Sequence, residues 1–156
     1  MPRILNAKQA ATTRLANKKQ GLPEPDQEFV LYPVVGGQQP IVAELGRDGV
    51  LATPLFGSER TDHWTLVPGE EEGTYYIKNV ESGLFVVEGW RPNPVRVGPD
   101  SEEPVAVRIS QAGPDVYIIK APNADVVWTF IPLRPFGHIQ YSDANGSPTQ
   151  LWRFEF

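Results

Sequence analysis

The residues with which this chain could do chemistry are few. His63 follows Asp62, with Ser58 close by, so the residue types of a nucleophilic triad are present. A triad is defined by geometry and roles rather than by nearness in sequence. Here all three fall on one polar loop and the edge of the strand after it, which reads as ordinary loop polarity. The second histidine, His138, stands alone. With no cysteine in the chain and no carboxylate at ligand spacing from either histidine, no zinc pattern forms. No glycine-rich loop opens a helix that could cradle phosphate. The carboxylates are many, but nothing pairs two of them across a cleft as glycosidic chemistry requires. The expectation is a protein that is not an enzyme and uses no cofactor and no metal.

Binding through loops remains. Gly36-Gly37 reads as a turn, Gly46-Arg47-Asp48-Gly49 as a glycine-bracketed loop, and Phe56 to Asp62 as a longer polar loop carrying Arg60-Thr61. A sugar site needs an aromatic platform beside an acid or amide. Trp90 with Asn93, and Asp125 with Trp128, are the pairs that could supply one. Trp90, between Gly89 and Pro92, is expected at the surface, and Trp128 in the core.

Charge narrows the partners. The first twenty residues carry Arg3, Lys8, Arg14, Lys18 and Lys19 and no acid, so all nineteen Asp and Glu residues fall in the remainder. Glu70-Glu71-Glu72 is the densest acidic run and reads as a solvated loop. An acidic body is a poor surface for nucleic acid, which needs clustered Lys and Arg. No apolar run approaches a membrane span, and Arg3, Lys8 and Arg14 interrupt any signal-peptide core. The absence of cysteine also argues against a secreted destination. The expected setting is cytoplasmic, with no membrane partner. The acid-free, basic N-terminus also has some character of a mitochondrial presequence, although its apolar face is weak.

The elements that must position these loops are strands. Met1 to Gln20 has helical composition but only a thin apolar stripe at Ile4, Ala7, Ala11 and Leu15, and Gly21, Pro23 and Pro25 end it. Residues 1–25 are therefore expected to be a basic extension, a short helix or a disordered tail. Residues 26–156 read as one domain. The stretch Gly73 to Val87 spells strand, tight turn at Ser82-Gly83, strand. Its first half has counterparts at Phe29 to Pro33 and Val116 to Pro122, spaced by roughly 40 to 47 residues, a repeat-type period.

Each unit resolves into four short strands. The first has 29–35, 40–45, 50–55 and 63–67. The second has 74–80, 84–88, 95–97 and 105–109. The third has 116–121, 126–131, 136–141 and 150–156. Alternation points Trp64 and Leu66, Val105, Val107 and Ile109, and Trp152, Phe154 and Phe156 inward. One unit cannot bury such a face alone, so three must close around an axis. The fold class expected is all-β, a β-trefoil of three four-strand units. A sandwich or jelly roll is the alternative, but it does not predict three matching units.

Tyr75-Tyr76-Ile77-Lys78-Asn79-Val80, Asp115 to Pro122 and the closing Leu151-Trp152-Arg153-Phe154 resemble the β-trefoil protease inhibitors of mushrooms, the mycocypins and related trypsin inhibitors that serve in fungal defence. The resemblance covers roughly residues 29–156. It implies a protease as partner. In the serine-protease inhibitors of this group the loop between second and third strands presents an arginine, the place of Gly46, Arg47 and Asp48 here. In the mycocypins a glycine pair enters the papain-like cleft, the place of Gly36 and Gly37. An arginine on a rigid loop fills an acidic pocket with charge-assisted contacts, whereas glycines let backbone approach a groove with no Cβ in the way. Asp48 beside Arg47 departs from that pattern, which makes Arg60 the next candidate. The long N-terminal extension departs from it too.

A second resemblance points elsewhere. Gln150-Leu151-Trp152 fits the Gln-any-Trp signature of ricin-type lectins, which implies carbohydrate as the alternative partner. The signature is intact once: Asp62-His63-Trp64 lacks the Gln. A third reading is an interaction trefoil that joins a larger assembly through its N-terminal helix.

Overall fold

The computed structural model describes residues 21–35, 44–45, 51–53, 63–87, 94–98, 102–132 and 137–156. Residues 1–20, and with them the expected helical extension, lie outside this set. Ten strands are formed: β1 (Val30–Pro33), β2 (Glu44–Leu45), β3 (Leu51–Thr53), β4 (Trp64–Pro68), β5 (Thr74–Asn79), β6 (Val107–Gly113), β7 (Val116–Lys120), β8 (Val126–Ile131), β9 (Gly137–Asp143) and β10 (Trp152–Glu155).

Six of them close a barrel. The first and fourth strands of each unit are β1 and β4, β5 and β6, and β7 and β10. The strand ending one unit pairs antiparallel with the strand opening the next: β4 with β5, β6 with β7, and β10 back to β1. Within the units, β5 pairs with β6 and β10 with β7 through Trp152 and Tyr117. The ring is completed at Phe29 and Trp64, whose backbones exchange two hydrogen bonds of 2.9 Å. A closed ring leaves the barrel without free edges.

The middle strands of each unit make hairpins. In the first unit β2 pairs β3, and in the third β8 pairs β9 over six register positions. Hairpins from different units also touch: β3 pairs β9, and Pro94 bridges Gln140. In the second unit the expected strands at 84–88 and 95–97 reduce to single bridges, Lys78 to Phe85, Val86 to Val97 and Val87 to Pro104. Pro94 and Pro104 have no N–H to give a ladder, which breaks continuous pairing there. The twelve strand positions are thus all represented, ten as strands and two as bridges. The architecture is a β-trefoil.

The core follows the threefold pattern. The fourth strands turn Trp64 and Leu66, Val107 and Ile109, and Trp152 and Phe154 inward, and all are buried. The first strands add Leu31, Ile77 and Ile119. Phe154 meets one ring from the first unit and one from its own in edge-to-face contact: Phe29 at 5.1 Å and 74°, and Tyr117 at 5.4 Å and 71°. Val105 and Phe156, expected inward, are only partly buried.

Phenols pin the barrel at its periphery. Tyr32 on β1 donates to Glu155 Oε2 on β10 at 3.2 Å. Burial, then the Glu155 carboxylate, raises the Tyr32 phenol above its ordinary value. Burial likewise raises Tyr117, helped by Asp115.

The fourth strand of the third unit begins at Trp152 rather than Gln150. Pro148–Gln150 forms a 3-10 turn, capped by Ser147, whose Oγ accepts from Thr149 N. Proline suits the opening of such a turn because its missing N–H is not needed there.

The strand turn of the second unit is as expected at Ser82-Gly83. Asn79 Oδ1 accepts from Ser82 N and from Ser82 Oγ, both at 3.0 Å, and the Asn79 carbonyl accepts from Gly83 N at 2.9 Å. Gly83 sits at φ +71°, where a side chain is strained, so glycine is the residue that lets the chain reverse there.

Candidate binding site

Gly36, Gly37, Gly46, Arg47, Asp48 and Arg60 lie outside the described residues, as do Ser58, Asp62, Trp90 and Asn93. What the structure describes near Arg47 is its frame: Leu45 stands opposite Leu51 and Glu44 opposite Ala52 in an antiparallel pair. His63 and His138 belong to different hairpin and barrel elements. His138 on β9 contacts Gln140 Oε1 at 3.0 Å, and Gln140 Nε2 donates to Ser142 Oγ at 3.1 Å. With the amide placed that way round, His138 Nε2 is the donor. Among the described residues no three His, Asp or Glu side chains gather as metal ligands would.

Trp128 and Trp152 lie in the core, as their positions in the sequence lead one to expect. Trp128 is fully buried, while Asp125 is exposed and pairs with Lys120 at 3.3 Å, so these two do not form a platform. Gln150 and Trp152 are buried as well. Gln150 Nε2 donates to the Asp143 carbonyl at 2.9 Å and to Thr129 Oγ1 at 3.2 Å, and its Oε1 accepts from Asn145 N at 2.9 Å. Trp152 Nε1 donates to the Trp128 carbonyl at 3.0 Å. The Gln-any-Trp triplet is a clamp between β8, β10 and the turn joining β9 to β10.

The surface that does combine aromatic rings with polar groups lies on the outer wall of the second unit. On β5, Ile77 faces the core opposite Leu66, so Tyr76 and Lys78 face outward. Val67 pairs with Tyr76 from β4, and Phe85 bridges Lys78. The Tyr76 and Phe85 rings meet edge to face at 6.2 Å and 82°, and Lys78 Nζ lies 5.6 Å from the Phe85 centroid. Tyr76 and Phe85 are half-buried, and exposed Glu103 and Pro104 stand beside them. These residues with Val67 line a cleft of about 430 Å³.

A second cleft of about 270 Å³ is also lined by Tyr76, together with Glu70, Glu71, Thr74, Ala106, Pro122 and Asn123. Its acidic wall is tied in place. Arg108 donates to Glu71 Oε2 at 2.9 Å and to the Glu72 carbonyl at 3.3 Å, and Thr74 Oγ1 donates to the Glu71 carbonyl at 2.6 Å. The exposed ion pair adds little stability, but it fixes where the segment sits. Sequence reasoning passed over this wall because Tyr75 and Tyr76 were taken with the strand that forms the core. The legible signal was the alternation in Thr74–Asn79, which must place one of each neighbouring pair outside.

Solved structures share this fold. The chain is similar to the ricin B-like lectin of Macrolepiota procera, solved with lactose, with a TM-score of 0.70 and 14% identity over 85% of this chain and 97% of that one. It is similar to the Polyporus squamosus lectin, solved with a sialylated influenza-binding epitope, with a TM-score of 0.68 and 15% identity over 85% of this chain and 50% of that longer one. A β-trefoil designated BEL matches with a TM-score of 0.66 and 19% identity over 86% of this chain and 96% of that one. At such identities the likeness is one of fold. No family model matches the chain, and no curated protein matches it in sequence.

Proposed function

We propose that this β-trefoil is a carbohydrate-binding protein. The observation that carries the reading is one cleft lined by half-exposed Tyr76 and Phe85 and by the carboxylate of Glu103, with the ammonium of Lys78 held over the Phe85 ring. A sugar ring has an apolar face and a rim of hydroxyls. Aromatic rings bury the first, and charged acceptors and donors bind the second. Val67 and Tyr76 are held on barrel strands, so this wall of the site keeps its geometry before a ligand arrives and less entropy is lost on binding. Similar folds solved with lactose and with a sialylated glycan support the reading. On it the protein binds and does not catalyse. Saturable binding of the intact chain to glycans on an array is the expected result. A flat array across neutral and charged glycans removes the proposal.

A second reading, protease inhibition, is favoured by the antiparallel frame of β2 and β3, which brackets the segment that holds Arg47. On this reading Gly46, Arg47 and Asp48 meet a trypsin-like protease, and Gly36 and Gly37 a papain-like one. Trypsin and papain titrated with the protein decide it. Inhibition of trypsin at micromolar concentration, abolished by Arg47→Glu, supports the arginine loop. Inhibition that survives Arg47→Glu moves the contact to Arg60 or beyond, and no inhibition of either enzyme discards the reading for both classes.

A further inference from the structure

Resting on the carbohydrate reading, we propose that the two clefts that Tyr76 lines form one groove that takes a neutral oligosaccharide, with Tyr76 at the boundary between two subsites. The first cleft, about 430 Å³, falls in the range of roughly 300–1,000 Å³ occupied by small-molecule sites. The second, about 270 Å³, falls short of it alone but opens beside the same ring. Tyr76 lines both, so a ligand that fills both clefts must pass Tyr76 and be longer than one ring. Each subsite has its own polar set. Glu103 serves the first, and exposed Glu70 and Asn123 the second. These are hydrogen-bonding groups suited to hydroxyls.

Charge selects among glycans. Of the carboxylates that line the groove, Glu71 is paired with Arg108. Among the described residues Glu70 and Glu103 take part in no ion pair. Lys78 is drawn over the Phe85 ring, where the face of the aromatic system attracts it. An anionic sugar laid along the groove meets two carboxylates that no ion pair among the described residues engages, within about a Debye length, near 8 Å at physiological salt. Neutral glycans carry no such penalty.

The test is an array of neutral mono- and oligosaccharides beside their sialylated counterparts, read with the intact chain and with Tyr76→Ala, Tyr76→Phe, Phe85→Ala and Glu103→Gln. The intact chain is expected to prefer neutral oligosaccharides over the matching monosaccharides by at least about tenfold, and over sialylated forms by several-fold. Tyr76→Ala and Phe85→Ala are each expected to lose about tenfold or more, as truncation of an aromatic anchor does. Tyr76→Phe keeps the ring, and so retains most binding and controls for folding. Glu103→Gln is expected to narrow the gap between neutral and sialylated glycans. Glycan binding that is unchanged in both alanine variants overturns the groove while leaving the carbohydrate reading in place. Equal affinity for mono- and oligosaccharides overturns the two-subsite form. No glycan binding by the intact chain overturns both the groove and the reading on which it rests.

Discussion

Trp152→Ala is expected to lower the folding free energy by about 3–5 kcal/mol, the cost of truncating a large buried aromatic side chain. Trp152 is fully buried at the start of β10, opposite Pro33 on β1 and opposite Tyr117 on β7. It therefore sits where the first unit meets the third, and its loss opens a cavity at the seam that closes the barrel. Its indole meets Trp128 edge to face at 6.4 Å and 89°, and its Nε1 donates to the Trp128 carbonyl at 3.0 Å. The alanine variant removes the volume, the ring contact and the donor together. Trp152→Phe keeps an aromatic ring and removes the donor, so its expected cost is smaller, about 1–3 kcal/mol. Against a total stability of about 5–15 kcal/mol, the alanine change brings a domain of this size near its limit. Urea midpoints followed by far-UV circular dichroism measure both variants. A loss under about 1 kcal/mol for Trp152→Ala, or a larger loss for Trp152→Phe, contradicts this account.

Gln150→Leu should cost about 2–3 kcal/mol, because it strands buried polar groups rather than because it changes volume. The Gln150 amide bonds two backbone groups, Asp143 O and Asn145 N, and Thr129 Oγ1, which in turn donates to the Val127 carbonyl at 3.1 Å. Leucine satisfies none of them. Gln150→Glu tests the polarity of the network. Ionised, its carboxylate accepts from Asn145 N but faces the Asp143 carbonyl with no proton to offer. Protonated, it donates there. Burial and that carbonyl raise the folded-state pKa of the introduced acid above the unfolded value of about 4.3. The stability deficit of Gln150→Glu relative to the parent at the same pH is then small near pH 4 and grows as pH rises toward 8. A deficit independent of pH, measured by paired denaturant titrations, rules out this network.

Much of this was readable from residue order. The repeated strand pattern determined the three units, and the alternation at Trp64-Leu66, Val107-Ile109 and Trp152-Phe154 determined which residues close the core. The reason is physical: side chains along a strand alternate faces, so a run of apolar residues two apart names its own buried side. The Ser82-Gly83 turn was equally legible, since its left-handed backbone needs a glycine. The mid-unit strands expected at 84–88 and 95–97 form only single bridges, beside Pro94 and Pro104, which lack the N–H a continuous ladder needs.

The candidate site was not legible. Tyr76, Phe85, Glu103 and Asn123 come from separate strands and loops, and no spacing in the chain joins them. Trp128 and Trp152, both expected inward, do lie in the core, where the Trp152 indole and the Gln150 amide serve the backbone. What the sequence determined by itself is the threefold count and the buried face, because local periodicity dictates both. What only the tertiary structure decided is which aromatics remain outside and which carboxylates stand beside them, because that depends on how the six barrel strands pair across units.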